Sequence, residues 1–423
     1  MRRPSNILIA LLALIPVAVS AQDGPLKARP DAFPPVQEDL GTKAVAMTST
    51  LGEMALWDCY PTYELYVAMM QRWADEYPTL CKLDTIGYSV QNRLILSLEL
   101  GSALADSSKP EFFYSSTIHG DEVTGYVLML RLIDTLLGSY GISPRLTALL
   151  DRVHVCINPL ANPDGTYHAG NHTVQGSIRY NANYVDLNRN FPDPFGSGAK
   201  SVLPLENEYM VQYVERHRFV LSANLHGGSE VMNYPWDCFT SVQNPHPQAD
   251  WWRSVGKRFV DAAREVDPQR FRDVNSSGVI AGGDWYVIHG GRQDYMNYYH
   301  HCLEMTMEIS TVKTLSSNLL PSYWRSMCEP FIAYIEEIYT LPGNNAVPSV
   351  SEADVQKWTS VYDLPQGTDV VVFDVAGRPV ASGRWPLATV GSLPTGIYIV
   401  HADGQSFKQL FFTPHTINDI QSR

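Results

Sequence analysis

Glu111-Phe-Phe-Tyr-Ser-Ser-Thr-Ile118 runs directly into His119-Gly-Asp-Glu122. The first eight residues have the apolar and aromatic content of a strand. Residues 123–137 place Val123, Val127, Leu130, Ile133 and Leu137 at helical spacing, so His119 and Glu122 fall at a strand-to-helix turn. In an open α/β sheet, crevices form outside the carboxyl ends of the strands. A His at a strand end and a Glu in the first helical turn can converge there. Both are donor types of a catalytic zinc site, which takes three protein ligands and keeps a fourth position open. The plain alternative is a turn histidine beside a glutamate favoured by the helix dipole.

The same alternation extends outward from this turn. A helix is predicted over residues 63–77, with strands over 93–100, 153–157, 219–225 and 302–309 and an amphipathic helix over 322–339. The pattern predicts an α/β fold with a mixed central sheet and helices on both faces. At 423 residues the chain is long enough for more than one domain. Residues 1–21, with Arg2, Arg3 and an apolar run before Val19-Ser-Ala21, fit a signal peptide. Residues 22–57 read as an N-terminal extension and 58–342 as the main domain. After the breakers Leu341-Pro-Gly-Asn-Asn345, residues 343–423 read as a linker and a small all-β domain with strands over 369–373, 396–401 and 407–412.

Composition narrows the functional classes. A net charge of -13 argues against nucleic acid and anionic membrane as partners and is permissive for cationic substrates. Beyond the signal segment no run of about 18 apolar residues appears, so no membrane span is predicted. The six cysteines are too scattered for a zinc ribbon. Export permits disulfides, and Cys59 with Cys81 is one local pairing that the sequence allows without fixing. Cys156 and Cys302 read as small apolar core residues in strands.

A third ligand candidate is His226, which follows the strand 219–225 and precedes Gly227-Gly228. In Cys302-Leu-Glu-Met-Thr-Met-Glu-Ile-Ser310, alternation puts Glu304, Thr306 and Glu308 on one face and Leu303, Met305, Met307 and Ile309 on the other. Glu308 is then a candidate general base. The competing reading is an edge strand with one solvated face. Asn162-Pro-Asp-Gly165 is a turn signal in its own right. Asp186-Leu-Asn188-Arg189 sets a fork-shaped guanidinium beside an amide, a pairing suited to gripping a carboxylate.

Taken together, these residues resemble the zinc metallocarboxypeptidase family. The resemblance rests on His119-x-x-Glu122, the Asn162–Gly165 turn and Arg179 seven residues before Asp186-Leu-Asn-Arg-Asn-Phe-Pro192. It also rests on His226-Gly-Gly228 and on Tyr286, 22 residues before Glu308. It covers residues 58–341 and is closest to the regulatory N/E subfamily, judging from Gly290-Gly-Arg-Gln-Asp294 and the Tyr323-Trp324 helix. Residues 22–57 are too short for the large propeptide of the digestive enzymes.

The resemblance implies one zinc per chain held by His119, Glu122 and His226, with Asp186 orienting a ligand histidine. Cobalt or nickel suits the same donors. It implies that Glu308 acts as the base, Arg179 stabilises the oxyanion, Asn188 and Arg189 bind the substrate's terminal carboxylate, and Tyr286 closes over the substrate. The plain readings are a packed tyrosine and solvated arginines. Asp237 and Gln293 sit where the subfamily recognises a C-terminal Arg or Lys, although Asp237 can also serve the Pro235-Trp-Asp237 turn. Where the subfamily commonly has Asn, this chain has Asp121, which is expected to add negative charge near the metal.

Val372-Phe-Asp-Val-Ala-Gly-Arg-Pro-Val380 and Leu393-Pro-Thr-Gly-Ile-Tyr-Ile-Val400 resemble the C-terminal sorting domain of type IX secretion more closely than the transthyretin-like β-sandwich of the N/E subfamily. The combined expectation is a secreted or bacterial cell-surface zinc carboxypeptidase, with the periplasm as an alternative location. It would act on peptide or protein C-termini and engage export machinery through its C-terminal domain. The alternatives are an enzyme for apolar or cell-wall peptide termini and an inert peptide-binding protein on the same scaffold.

Overall fold

The computed structural model describes residues 45–193, 202–342, 366–373, 379–386, 396–402 and 405–411. The segment expected to be a signal peptide at 1–21, most of the expected extension at 22–57 and residues 343–365 lie outside the described residues. The first elements are β1 (Met47–Thr48), α1 (Leu51–Met54), β2 (Tyr60–Pro61), α2 (Tyr63–Glu76), β3 (Cys81–Tyr88), β4 (Leu94–Leu100) and β5 (Glu111–Ser116). There follow α3 (Thr124–Ser139), α4 (Pro144–Arg152), β6 (His154–Asn158), α5 (Pro163–Thr166), α6 (Leu205–Glu215), β7 (Phe219–His226), β8 (Ser229–Tyr234) and α7 (Ala249–Val266). The series ends with β9 (Val279–Ala281), α8 (Gly282–Trp285), α9 (Arg292–Tyr299), β10 (Leu303–Ser310) and α10 (Leu320–Glu336). Four C-terminal strands complete it: β11 (Asp369–Phe373), β12 (Pro379–Arg384), β13 (Gly396–Ala402) and β14 (Gln405–Phe411).

Local chemistry starts and stops these elements. Thr62 caps α2 by accepting from Leu65 N, and Leu65, Tyr66, Met69, Met70 and Trp73 form its buried stripe. Ser143 caps α4, with Pro144 at the first helical position, where a missing N–H costs nothing. The interval 226–301, for which the sequence reading names no element, holds β8, α7, β9, α8 and α9.

The central sheet has eight strands in the order β3-β4-β6-β5-β7-β10-β8-β9. Its middle quartet, β6, β5, β7 and β10, is parallel, and β3, β4 and β8 are antiparallel to their inner neighbours. From β5 the chain crosses to β6 on one side, then returns past β5 to β7 on the other. The strand order therefore reverses between β5 and β7, the place where an open α/β sheet leaves a crevice.

Alternating side chains feed two cores. Phe112 and Tyr114 of β5 join the larger cluster with α2, α3, α7 and α10, while Phe113 joins a second cluster with Met210, Tyr213 and Val214 of α6 and Met296 of α9. Met54 and Trp57, from the predicted extension, also belong to the larger core.

Strand β10 decides the edge-strand question. It lies between β7 and β8, and all eight of its residues are buried. Leu303, Met305, Met307 and Ile309 enter the larger core, each contributing roughly 1.5–3 kcal/mol by burial. Glu304 and Glu308 face the other way and are buried too, so the solvated-face reading is wrong.

Cys59 and Cys81 are both free and buried, so the local pairing that the sequence allows is not made, and the other four thiols are free as well. The C-terminal strands form one antiparallel sheet in the order β12-β11-β13-β14.

Candidate metal centre and active-site cleft

The carboxyl ends of β5, β7 and β10 lie side by side and deliver four acidic or imidazole groups to one place. His226 is the last residue of β7 rather than the first beyond it, and it sits in register with Glu308 on β10. His119 and Glu122 come from the turn after β5. Glu122 lies two residues before α3, not in its first turn, and Glu122 N bonds His119 O at 3.1 Å to close that turn. Thr117, just after β5, holds a left-handed φ of 62°. For a β-branched residue this costs roughly 1–3 kcal/mol, and it swings the chain so that His119 points back over the sheet.

A second turn clamps the first. Asn162 Nδ2 donates to Ile118 O at 3.1 Å, Thr166 Oγ1 donates to Gly120 O at 2.8 Å, and Gly120 N donates to Arg179 O at 3.1 Å. Gly120 and Gly165 approach so closely that a Cβ on Gly120 would meet Gly165 Cα at 2.5 Å. The Asn162–Gly165 motif is thus a structural clamp on the His119 turn as well as a turn signal.

His119, Glu122 and His226 are all buried, and their ligand-type atoms lie within 4.8 Å of one another. His119 Nδ1 is 3.0 Å from Glu122 Oε1 and 3.0 Å from His226 Nδ1, and His226 Nδ1 is 2.8 Å from Glu122 Oε2. The outer nitrogens are committed elsewhere. His119 Nε2 faces Asp186 Oδ1 at 3.2 Å, and His226 Nε2 faces Asn224 Oδ1 at 2.5 Å. Both oxygens only accept, so both Nε2 atoms donate, and both Nδ1 lone pairs turn inward on a carboxylate. Three electron-pair donors so placed repel one another unless a cation sits between them. The donor set of two imidazoles and one carboxylate suits zinc.

The electrostatics point the same way. Burial disfavours charge on His119, but Glu122 and Asp186 outweigh it and raise its pKa. Burial lowers His226 to about 4. Burial alone would raise Asp186, yet its bond to His119 and the Arg179 guanidinium hold it well below the usual carboxylate range. Asp186 bridges the site: Oδ1 takes His119 Nε2 and Asn188 N, while Oδ2 takes Arg179 Nε at 2.9 Å. Burial, reinforced by the charge of Glu122, pushes Glu308 well above the ordinary carboxyl range.

A cleft of about 630 Å³ opens over these residues. Its walls include Arg179, Asn188, Arg189, Asp237, Tyr286 and Glu308 together with the three metal-type ligands. Tyr286 is 49% exposed at the mouth. Gln293 does not line the cleft: its Nε2 donates to Asp237 Oδ1 at 2.9 Å and its Oε1 accepts Thr306 N at 2.6 Å. It therefore holds Asp237 from behind. Burial and the neighbouring Asp294 raise the pKa of Asp237 well above the usual carboxylate range.

Lining residues without a site role in the sequence include Asn233, Thr306, Trp285 and Ile288. Strand alternation had put Thr306 on the Glu308 face, whereas Asn233 reaches the cleft through its pairing with Thr306 across β8 and β10, which the sequence does not show.

Asp121 does not add unbalanced charge. Its carboxylate pairs with Lys313 Nζ at 2.9 Å, and Lys313 also lies 3.5 Å from Glu122 Oε1. A second grouping of Asp84, Glu99 and His217 lies elsewhere. Lys82, Arg216 and Glu111 already pair with its members.

Residues 66–330 match the family model described as zinc carboxypeptidase, well over half of the chain. The chain is 32% identical over 298 residues to carboxypeptidase D of Mus musculus, a match covering 66% of this chain and 21% of that protein. It is 32% identical to carboxypeptidase M of Mus musculus, over 64% of each chain. The match thus spans about a fifth of the first relative and less than two thirds of the second. The crystal structure of carboxypeptidase A from Helicoverpa armigera shares the fold, with a TM-score of 0.55 at 20% identity over 66% of this chain and 73% of that one. Among the described residues no helix is long and apolar enough to cross a membrane.

The Gly120–Gly165 contact generates a prediction. Gly120→Ala forces the two turns apart, because the obstructing atoms are backbone, and is expected to weaken zinc binding about tenfold or more by displacing His119. Chelator competition checks it, and unchanged affinity would show that the clamp does not hold the ligand.

Proposed function

The chain belongs to the zinc carboxypeptidase family, and we propose that it is an exported zinc-dependent exopeptidase that releases C-terminal Arg or Lys from peptides and proteins. The observation that carries this reading is one cleft lined by the His119, Glu122 and His226 donor set, by Glu308 and by the Asn188-Arg189 pair. Basic specificity is supported by Asp237, whose carboxylate lines the same cleft and is held there by Gln293.

A zinc ion held by the three ligands would supply Lewis acidity toward water and the scissile carbonyl. The protein's own groups divide the remaining tasks. Glu308, poised by burial toward accepting a proton, takes one from the attacking water and delivers it to the leaving amine. Arg179, tethered by Asp186, presents Nη1 on the ligand side of the cleft and stabilises the oxyanion. Asn188 and Arg189 grip the terminal carboxylate, which restricts cleavage to the last peptide bond. Tyr286, at the mouth, closes over the bound residue.

Asp237 gives the preference for a basic side chain a physical basis. An apolar substrate would leave a buried carboxylate unpaired, whereas a guanidinium or ammonium pairs with its ionised form. Export is supported by the apolar run behind Arg2 and Arg3 and by the sorting-domain resemblance of the C-terminal strands.

Five measurements test these proposals. Glu308→Gln should retain zinc and lose about 10²–10⁴-fold in kcat; full turnover by this variant would remove Glu308 as the base. With matched peptides ending in Arg, Phe and an Arg amide, the Arg acid should be hydrolysed best and the amide not at all. Asp237→Asn should cost about 10²–10⁴-fold in kcat/KM on Arg, from the roughly 3–5 kcal/mol of an unpaired buried charge, and far less on Phe. Because the pKa of Asp237 is raised, KM for the Arg peptide should fall as pH rises and the carboxyl ionises, a trend absent for Phe. Equal turnover of Arg and Phe would discard basic specificity. Mass spectrometry of the exported protein should find the C-terminal region removed at the cell surface or in the medium; a soluble periplasmic species ending at Arg423 would exclude sorting.

A further inference from the structure

Behind the metal-type ligands lies a buried ion pair that none of the roles above uses. Arg292 opens α9 and Glu304 lies on β10, with side chains only 1% and 0% exposed and Arg292 Nη2 3.0 Å from Glu304 Oε2. The guanidinium also rests over the Phe113 ring, 4.7 Å from its centroid. Neither residue lines the cleft. Glu304 Oε2 accepts from Ser222 Oγ at 2.7 Å, and Oε1 accepts from Asn224 Nδ2 at 3.0 Å. Asn224 precedes His226 by two positions on β7, so both side chains share a face, and Asn224 Oδ1 meets His226 Nε2. A continuous chain thus runs from Arg292 through Glu304 and Asn224 to His226.

The direction of that chain decides which nitrogen of His226 carries the proton. An ionised carboxylate only accepts, so Asn224 must turn its NH₂ to Glu304, where Thr306 Oγ1 takes the second hydrogen at 3.1 Å. Its oxygen is then left for His226. That oxygen also only accepts, so His226 donates from Nε2 and keeps its Nδ1 lone pair toward Glu122 and His119.

A neutral donor at position 304 reverses the logic. It can donate to Asn224 Oδ1, and the amide then turns and offers NH₂ to Nε2. The proton moves to Nδ1, where a metal ion needs the lone pair. Burial raises the pKa of Glu304 above the ordinary carboxyl value, and the Arg292 charge is the largest influence holding that rise back.

We propose that Arg292 and Glu304 are positioning residues that set the tautomer of His226 through Asn224, so that an ion pair whose side chains touch neither the cleft nor a ligand helps to set metal affinity. This rests on the reading of His226 as a metal ligand. Zinc affinity of the full chain is measured by chelator competition, with the Co²⁺ absorption spectrum as a second readout of ligand geometry. A wild-type chain that binds no zinc sinks the ligand reading itself.

Given zinc binding, Glu304→Gln and Arg292→Met are each expected to weaken it about 10–100-fold and to alter the cobalt spectrum. Arg292→Lys should stay within a few-fold of wild type. Folded Glu304→Gln protein with wild-type zinc affinity overturns the proposal. If Arg292→Met does not fold, the cycle of Asn224→Ala with Glu304→Gln decides: the second substitution should cost nothing further once Asn224 is gone, and additive losses overturn the linkage.

Discussion

Two imidazole lone pairs and a carboxylate forced to face one another at hydrogen-bond distance are the constraint around which this molecule is arranged. Such a grouping is repulsive without a positive charge in its midst, and nothing in an unconstrained chain would assemble it. It persists because each proton that would relieve it is held on the far side. Asp186 takes the Nε2 hydrogen of His119, and Asn224 takes that of His226. The fold therefore stores a demand for a cation at one point, and neighbouring groups answer to that charge as well as to one another.

Holding that arrangement needs rigidity at three strand ends at once. Parallel pairing of β5, β7 and β10 sets His226 beside Glu308, and the buried apolar face of β10 anchors the register, since a one-residue slip would send both glutamates into the larger core. The turn after β5 has no such ladder. It is held instead by the backbone contact of Gly120 with Gly165 and by the strained Thr117. Asp121, whose charge stood out in the sequence, is neutralised by Lys313 from the segment after β10, which ties the same turn to the third strand end.

Periodicity made the sheet-forming core legible: β4, β5, β6, β7 and β10 and helices α2, α3 and α10 all carry apolar residues at the spacing of their own secondary structure. Elements with mixed burial were harder to read. Strand β3 lies at the sheet edge and exposes several residues, β8 buries the polar Glu230 and Asn233 among its apolar residues, and α9 buries Arg292, Gln293, Asp294 and Asn297, which carry no apolar signal. Polar residues are buried there because partners from distant segments satisfy them. Asp294, for example, accepts the backbone N–H groups of Asp237 and Cys238. Local sequence contains no trace of such partners.

By itself, the sequence determined which residue types could bear the chemistry and which strand face they would share, because alternation along β10 is a property of the backbone. Joined to a family resemblance, it also determined the order of the motifs. Tertiary structure alone decided that Cys59 and Cys81 stay apart, that Gln293 supports Asp237 from behind and that Asp121 is balanced by Lys313. It alone decided which nitrogen of each histidine faces inward. These are matters of distance and of donor or acceptor identity between segments up to about two hundred residues apart, as with Asp121 and Lys313. Such matters are settled only when packing brings the partners together.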